Sequence, residues 1–305
     1  MNFAEQSVAF LEHLKTRKRS PAKPATIALY GSLMKNHIIP KIGNVDLEIF
    51  SNGKMRDLVA TLTSSGCAPA TVLKISSLVK QIVSSAVDAE GDQLYPRKWN
   101  HEFIDLPSIG QQRQPTATQA QVNAACQDKR YGLFYALLAG TGLRIGEALA
   151  ARWGDTPDVT SLSLEKPLIF VRTSIWGGIE GLPKTPAAVR EVDLDPRLWR
   201  ALVDADPDSE IGEFLFPNRK GGPLFPTNVR IRNLEGYGIK GFHAFRRFRT
   251  TRLRELGVPE DIIRYWIGHA GAGITDRYSK LAENQELRRG WAVRAGLGFD
   301  LLEAR

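Results

Sequence analysis

The sequence predicts a mainly α-helical protein with a small β-sheet, built as two domains. Three observations predict it. Apolar residues recur at helical spacing through residues 3–89 and again from Thr118. Periodicity is lost over 91–117, where Pro, Gly and Gln gather in DLPSIGQQRQPTATQ. Over 160–194 the period shortens toward that of a strand. A chain of 305 residues rarely closes around one core. The expected division is a helical domain over 1–105, a linker over 106–117 and a mixed α/β domain over 118–305.

In the first domain, Phe3, Val8, Phe10, Leu11 and Leu14 predict a helix over 3–17. The basic, breaker-rich TRKRSPAKP that follows reads as a loop. A second helix is expected over Thr26–Ile38, with Ile27, Tyr30, Leu33, Met34 and His37 on one side and Pro40 and Gly43 ending it. Ser51-Asn52 can cap a third, which runs through Leu58 and Leu62 to Gly66. A fourth spans Pro69 to Ala89 on a stripe of Val72, Ile75, Leu78, Val79, Ile82 and Val83, with Pro suited to its first turn. Lys74 and Lys80 lie off that stripe, either as a solvated face or as the side of a helix that enters a DNA groove.

In the second domain, helices are expected over 118–128, 131–139 and 143–152. Leu168–Thr173 and Val189–Leu194 read as strands, separated by a Gly-rich turn and Lys184-Thr185-Pro186. Arg197–Ala205 is helical, 214–216 extended, and Asn228–Leu234 a short helix. Helical segments then cover His243–Leu256, Pro259–Ile267, Asp276–Leu281 and Ala282–Ala295. No repeat or low-complexity segment is present.

Composition narrows the function. Hydrophobic residues make up 43%, enough for packed cores. The net charge of +8 favours an anionic partner, of which nucleic acid is the common one; a basic soluble protein without a polyanion partner is the alternative. Two cysteines, Cys67 and Cys126, both set in apolar helical patterns, imply neither a disulfide framework nor a zinc site. They fit buried thiols in a reducing cytoplasm. The N-terminus lacks the basic start and apolar run of a signal peptide. The most apolar stretch, Tyr131–Leu143, is too short to span a membrane and is broken by Gly140 and Gly142.

The chemistry concentrates between His243 and Tyr278. Arg246 offers a fixed fork of donors for a phosphate, His243 and His269 can carry a proton near neutral pH, and Tyr278 carries a hydroxyl that can attack phosphorus once activated. His243 and Arg246 are three apart, on one face of a helix. A second Arg stands at 144 in Ala-Gly-Thr-Gly-Leu-Arg-Ile-Gly-Glu. Gly140 and Gly142 permit a tight turn, Arg144 opens a helix whose first amides favour an anion, and Glu147 lies one turn on, where it can orient the guanidinium. A dinucleotide loop is rejected, because a helix rather than a strand precedes it and the third glycine is misplaced. Lys184, in Gly-Leu-Pro-Lys-Thr-Pro between two strands, can present an ammonium to a leaving alkoxide. Singly, each of these residues reads as a surface, capping or core residue; the case rests on the set.

That set resembles the tyrosine recombinase (phage integrase) family, to which the Gly-x-Gly-Leu-Arg-x-x-Glu box at 140–147, the hairpin Lys184, His243-x-x-Arg246, Gly268-His269 and Tyr278 nine positions later all correspond. Thr26–Tyr30, 37–43 and Pro69–Val83 are similar to the family's helical core-binding domain, so the resemblance covers nearly the whole chain. It departs at Arg247, where the family often has His, and at the Gly-rich 270–273; Lys166 is the nearest rival to Lys184. No arm-binding domain is expected before residue 3.

The resemblance implies a site-specific DNA recombinase without cofactor or metal. Tyr278 would attack a phosphodiester to give a 3′-phosphotyrosine and a free 5′-hydroxyl. Arg144, Arg246 and His269 would stabilise the transition-state charge, Lys184 would protonate the leaving oxygen, His243 would assist at the Tyr, and Glu147 would support Arg144. Partners would be double-stranded DNA, clamped between the two domains, and three further protomers in a homo-tetramer on two duplexes. Accessory DNA-bending proteins are left open, the location would be the cytoplasm on the nucleoid, and no membrane is involved. Trp291, Leu297, Phe299, Leu301 and Leu302 near the last helix would dock either on a neighbouring subunit or on their own domain. Two alternatives stay open: a catalytically inactive DNA-binding protein of the same fold, and a type IB topoisomerase-like enzyme.

Overall fold

The computed structural model describes residues 1–301 apart from Ser20, 111–113, Pro157, Lys184, Pro207 and 270–280, and apart from the side chains of Pro186 and Arg232. The chain divides into two compact units, Met1–Arg113 and Gln114–Arg305.

The first unit is helical. Helix α1 (Phe3–Thr16) starts on a capping box: Asn2 Oδ1 accepts from the Glu5 amide, and the Glu5 carboxylate accepts from the Asn2 amide, both at 3.0 Å. Its buried side is Phe3, Gln6, Ser7, Phe10 and Leu14. Val8, expected on that side, is 71% exposed. Five residues from Phe3 is about 140° around the helix, so Val8 faces away despite its apolar side chain. Helix α2 (Pro24–Leu33) does not stop before Pro40. It widens into a π-helical turn (Met34–Ile38) and continues as α3 (Ile39–Ile42). Proline lacks an amide hydrogen and its ring crowds the preceding turn, and the wider turn relieves both.

Ser51 caps α4 (Asn52–Ser64) as expected, its hydroxyl accepting from the Lys54 amide. Helix α5 (Pro69–Ser84) ends five residues short of Ala89: Ser85 turns its hydroxyl onto the Ile82 carbonyl at 2.7 Å, and the chain leaves in a bridge between Val87 and Gln93. Phe3, Phe50, Leu62, Ile75 and Leu78 are fully buried in the core between these helices. Lys74 is exposed, whereas Lys80 lies over the Trp99 ring, 5.7 Å from its centroid. Residues 97–104 belong to this unit. Arg97 donates to the carbonyls of Leu47, Glu48 and Phe50, and α6 (His101–Ile104) packs on α4. Cys67 lies beyond the end of α4 rather than within a helix.

The second unit begins with α7 (Gln119–Cys126), where Thr118 and Gln121 form a capping box. Burial pushes the Cys126 thiol up to about 12. Helix α8 (Gly132–Thr141) is buried along nearly its whole length. Helix α9 (Ile145–Leu149) follows, five residues long, with the remainder of the expected 143–152 helix turning into strand β1 (Arg152–Trp153). The sheet adds β2 (Ser161–Leu162), β3 (Leu168–Val171) and β6 (Arg190–Asp193) in the order β1-β2-β3-β6. Strands β1 and β2 are parallel; β3 pairs antiparallel with both neighbours, setting Val171 opposite Arg190.

Between β3 and β6 a separate hairpin forms from β4 (Ser174–Trp176) and β5 (Ile179–Gly181). Its tip is Gly177-Gly178, both at positive φ, so the paired hairpin ends before residue 184. A 3₁₀ turn (Pro186–Ala188) leads into β6. Helices α10 (Pro196–Val203), α11 (Pro226–Arg232), α12 (His243–Glu255), α13 (Glu260–Ile267) and α14 (Gln285–Ala295) complete the unit, with a 3₁₀ turn (Leu234–Tyr237) after α11. Helix α12 crosses α8, where Tyr135 stacks on Phe245 with centroids 5.6 Å apart. Ala292, Ala295, Leu297 and Phe299 are buried in this same unit, with Trp291 and Leu301 packed against it. The tail therefore docks on its own domain; Leu302 lies outside the described residues.

Candidate active site

Four helix ends meet at the site, the closes of α8 and α13 and the starts of α9 and α12. Helix α8 closes at Gly142, which adopts φ +69 and gives its amide to the Leu138 carbonyl at 2.9 Å. A side chain at 142 would stand 2.7 Å from Ile267 of α13, so both conformation and space call for glycine. Arg144 comes two residues later, at the entry to α9. That helix is too short to hold an anion on its dipole, contrary to the sequence expectation, and Glu147 occupies its N-terminus instead. Glu147 Oε2 accepts from the Arg144 amide at 3.0 Å, and Oε1 accepts from Arg144 Nη1 at 2.8 Å. The second end of the Arg144 guanidinium donates from Nη2 to the Gly268 carbonyl at 3.2 Å.

Helix α12 opens with His243 and carries Arg246 one turn on. Arg246 is 3% exposed, and its two terminal nitrogens donate to the Gly142 and Ile267 carbonyls. One guanidinium thus ties the C-terminus of α8 to that of α13 and still has three of its five donors to give. Helix α13 closes at Gly268, with φ +68, and the His269 amide bonds back to the Arg264 carbonyl at 3.1 Å. His243 and His269 are both exposed, while Arg144 is part-buried. His243, Arg246, His269 and Ile267 line one cleft of about 300 Å³, joined by Arg247, Thr250, Arg254, Glu260 and Arg264.

Cations dominate this cleft. Desolvation, then the repulsion of Arg144, pulls the Arg246 guanidinium down to about 9. His269 is lowered by partial desolvation against the cleft wall and then by Arg246, Arg144, Arg190 and Arg264. His243 is lowered by the same cause and then by Arg247, Arg246, Arg144 and His269. Both imidazoles are therefore neutral near pH 7, and the cleft is charged by arginines. Such a cavity suits an anion with several oxygens, a phosphodiester among them. Among the described residues, no three His, Cys, Asp or Glu side chains come together as a metal ion would require.

Of the residues singled out in the sequence, Arg144, Glu147, His243, Arg246 and His269 are brought together. Lys184 and Tyr278 lie outside the described residues. Lys166, the rival to Lys184, is exposed in the turn between β2 and β3.

Sequence reasoning missed Arg190 and read Arg247 only as a departure from the family pattern, outside the catalytic set. Arg247 lines the cleft and donates to the Pro115 carbonyl and to Gln114. Arg190 is buried on β6 and donates from Nη2 to Glu147 Oε2 at 3.1 Å. It gave no signal of its own, being one of three charged residues, with Glu191 and Asp193, in the six-residue strand segment Val189–Leu194. A larger cavity of about 590 Å³ lies elsewhere in the unit, lined by Arg130, Tyr131, Arg219, Lys220 and Phe225; no residue of the motif set contributes to it.

No protein-family model matches the chain. A tyrosine recombinase XerC-like protein of Caldanaerobacter subterraneus is 24% identical over 293 residues, covering 84% of this chain and 74% of that protein. The structure of the Tn1549 transposon integrase in complex with a circular intermediate DNA aligns at TM-score 0.70 and 19% identity, over 95% of this chain and 99% of that one. The lambda integrase tetramer bound to a Holliday junction aligns at TM-score 0.62 and 16% identity, over 92% of this chain and 78% of that one. The motif order, the arginine cleft and the curated relative make the chain similar to the tyrosine recombinases, and its fold is the one seen in the integrases of mobile elements.

Proposed function

We propose that this protein is a site-specific DNA recombinase that cuts and rejoins DNA strands through a covalent 3′-phosphotyrosine. One observation carries the reading: the fold brings the His243–Arg246 turn and His269 together around one cationic cleft, with Arg144 bonded to the adjoining Gly268 carbonyl. In the proposed reaction the Tyr278 oxygen forms a bond to phosphorus while the bond to the 5′-oxygen breaks. The Tyr proton passes toward His243, and the departing 5′-oxygen takes a proton from Lys184. Arg144, Arg246 and His269 donate to the non-bridging oxygens as charge builds on them. Glu147 holds Arg144 by side chain and amide together. The covalent bond to Tyr278 conserves the energy of the broken ester, so rejoining proceeds by the reverse attack.

The partner is DNA. The similarity to an integrase described as a tetramer on a Holliday junction supports four protomers acting on two duplexes, with accessory DNA-bending proteins as further components. Among the described residues no helix is long and apolar enough to cross a membrane, and the proposed place of action is the cytoplasm, on the nucleoid.

The test is a suicide duplex nicked beside the cleavage site, its sequence taken from DNA selected for binding out of a random pool. The expected result is a covalent protein–DNA adduct in the wild type and none in Tyr278→Phe, with DNA binding retained. Binding with no adduct in the wild type would leave only the inactive binder, and relaxation of a plasmid lacking the site would point to the topoisomerase-like enzyme.

A further inference from the structure

Glu147 is 1% exposed, and both of its oxygens are committed. Two guanidinium groups share it: Arg144 from its own helix and Arg190 from β6. Arg190 has more partners. Nε donates to the Trp266 carbonyl at 2.6 Å, Nη1 to the Ala188 carbonyl at 2.8 Å and Nη2 to Glu147 at 3.1 Å. Its plane lies against Gly268: a Cβ there would be 2.9 Å from Nη1 and 3.0 Å from the central carbon. Arg190 thus reaches Arg144 by two routes, through Glu147 and through the turn whose Gly268 carbonyl accepts from Arg144 Nη2.

Charge gives the arrangement a direction. One carboxylate serves two arginines, so the trio carries one net positive charge. With Glu147 and Arg144 alone the pair would be neutral, and the cleft would lose that charge. A buried carboxylate–guanidinium pair contributes little to stability by itself, and the third member is the unusual feature.

We propose that Arg190 is a positioning residue for phosphate binding: by sharing Glu147 with Arg144 and bracing the Trp266–Gly268 turn, it keeps the Arg144 guanidinium aimed and net positive and sets His269 beside it. The inference rests on the recombinase reading for its catalytic consequence but not for its electrostatic one.

The electrostatic consequence is read on His269. The groups facing that ring are Arg144 from α9, Arg190 from β6, Arg246 from α12 and Arg264 from α13, with His243 also at the cleft. Histidine-labelled protein, with the signal assigned from His269→Gln, is titrated by NMR in wild type, Arg190→Met and Arg190→Lys. The expected result is a raised His269 midpoint in Arg190→Met and an unchanged one in Arg190→Lys, which keeps the charge. In single-turnover cleavage of the nicked duplex, Arg190→Met is expected to lose at least 100-fold and Arg190→Lys about tenfold, since lysine has no fork to span both acceptors.

A folded Arg190→Met protein with wild-type cleavage and an unmoved His269 midpoint overturns the proposal. If Arg190→Met does not fold, Arg190→Lys decides. Reduced cleavage at unchanged DNA affinity supports the role; wild-type cleavage, or failure of this variant also to fold, reduces Arg190 to a structural residue. A His269 midpoint that responds as described in a wild-type protein forming no adduct would remove the strand-cleavage reading alone.

Discussion

The Arg190 guanidinium lies flat beneath Gly268, so close that a methyl group on residue 268 would stand 2.9 Å from Nη1. Three hydrogen bonds fix Arg190 there, and it cannot swing aside as an exposed side chain would. Gly268 also holds φ +68, where any side chain costs about 1 kcal/mol or more. Gly268→Ala is therefore expected to lose about 2–3 kcal/mol of stability, combining backbone strain with overpacking. Urea unfolding measures it, and an alanine variant as stable as the wild type would contradict the packing described.

Removing the shared carboxylate leaves Arg190 buried with no counter-charge. Glu147→Gln is expected to cost about 3–5 kcal/mol. The acid side of the stability profile should change with it. Arg190 holds the Glu147 carboxyl below its ordinary range, overriding the desolvation that would raise it. A depressed carboxylate contributes stability that is complete above its ordinary value and lost as pH falls through its folded value. Thermal unfolding from pH 7 downward should show a steeper acid loss in the wild type than in Glu147→Gln.

Arg246 tests geometry against charge. Lysine keeps the positive charge, but its single nitrogen cannot bridge the Gly142 and Ile267 carbonyls while facing a phosphate. Arg246→Lys is expected to bind DNA within a few-fold of the wild type and to cleave about 10²–10³ times more slowly, the loss typical of one charge-stabilising donor. Equal losses in binding and cleavage would show that the residue acts through the ground state.

The pH dependence of cleavage should follow His243. Its imidazole is lowered from the ordinary value, by desolvation first and then by Arg247, Arg246, Arg144 and His269. A neutral imidazole accepts a proton, so the rate should be flat near pH 7 and fall only as the pH drops below about 6.5. Single-turnover rates between pH 5 and 8 should show that acid limb in the wild type and lose it in His243→Gln. A limb centred above pH 7 would mean that the surrounding cations do not act on this ring.

Much of the site could be read from the sequence because its residues sit at local landmarks. Glycines that close helices flank Arg144 and His269, and helical spacing joins His243 to Arg246. Arg190 has no such landmark. Three charged residues in a four-residue strand read as solvent-facing, and only the pairing of β6 with β3 and the packing of α13 over it show Arg190 to be interior. The same limit explains Val8, whose composition suggested burial where helical geometry turned it outward, and Pro40, whose disruption of the helix was absorbed by one wider turn. Loop residues carry no period at all, and so the paired hairpin closing at Gly177-Gly178 was not separable from the longer stretch running to Lys184.

The frame around the motif helix is closed by residues that are made near the end of the chain. Arg249, on the same helix as His243 and Arg246, is buried and donates to the Gly296 carbonyl, while Leu297 and Phe299 fill the core beside it. On the ribosome the motif helix emerges well before residues 296–299 do. Until they arrive, Arg249 has no acceptor there and the core lacks part of its wall, so a half-made chain holds its arginines without the frame that aims them. The frame of the motif helix is therefore complete only when residues 296–299 have folded onto it.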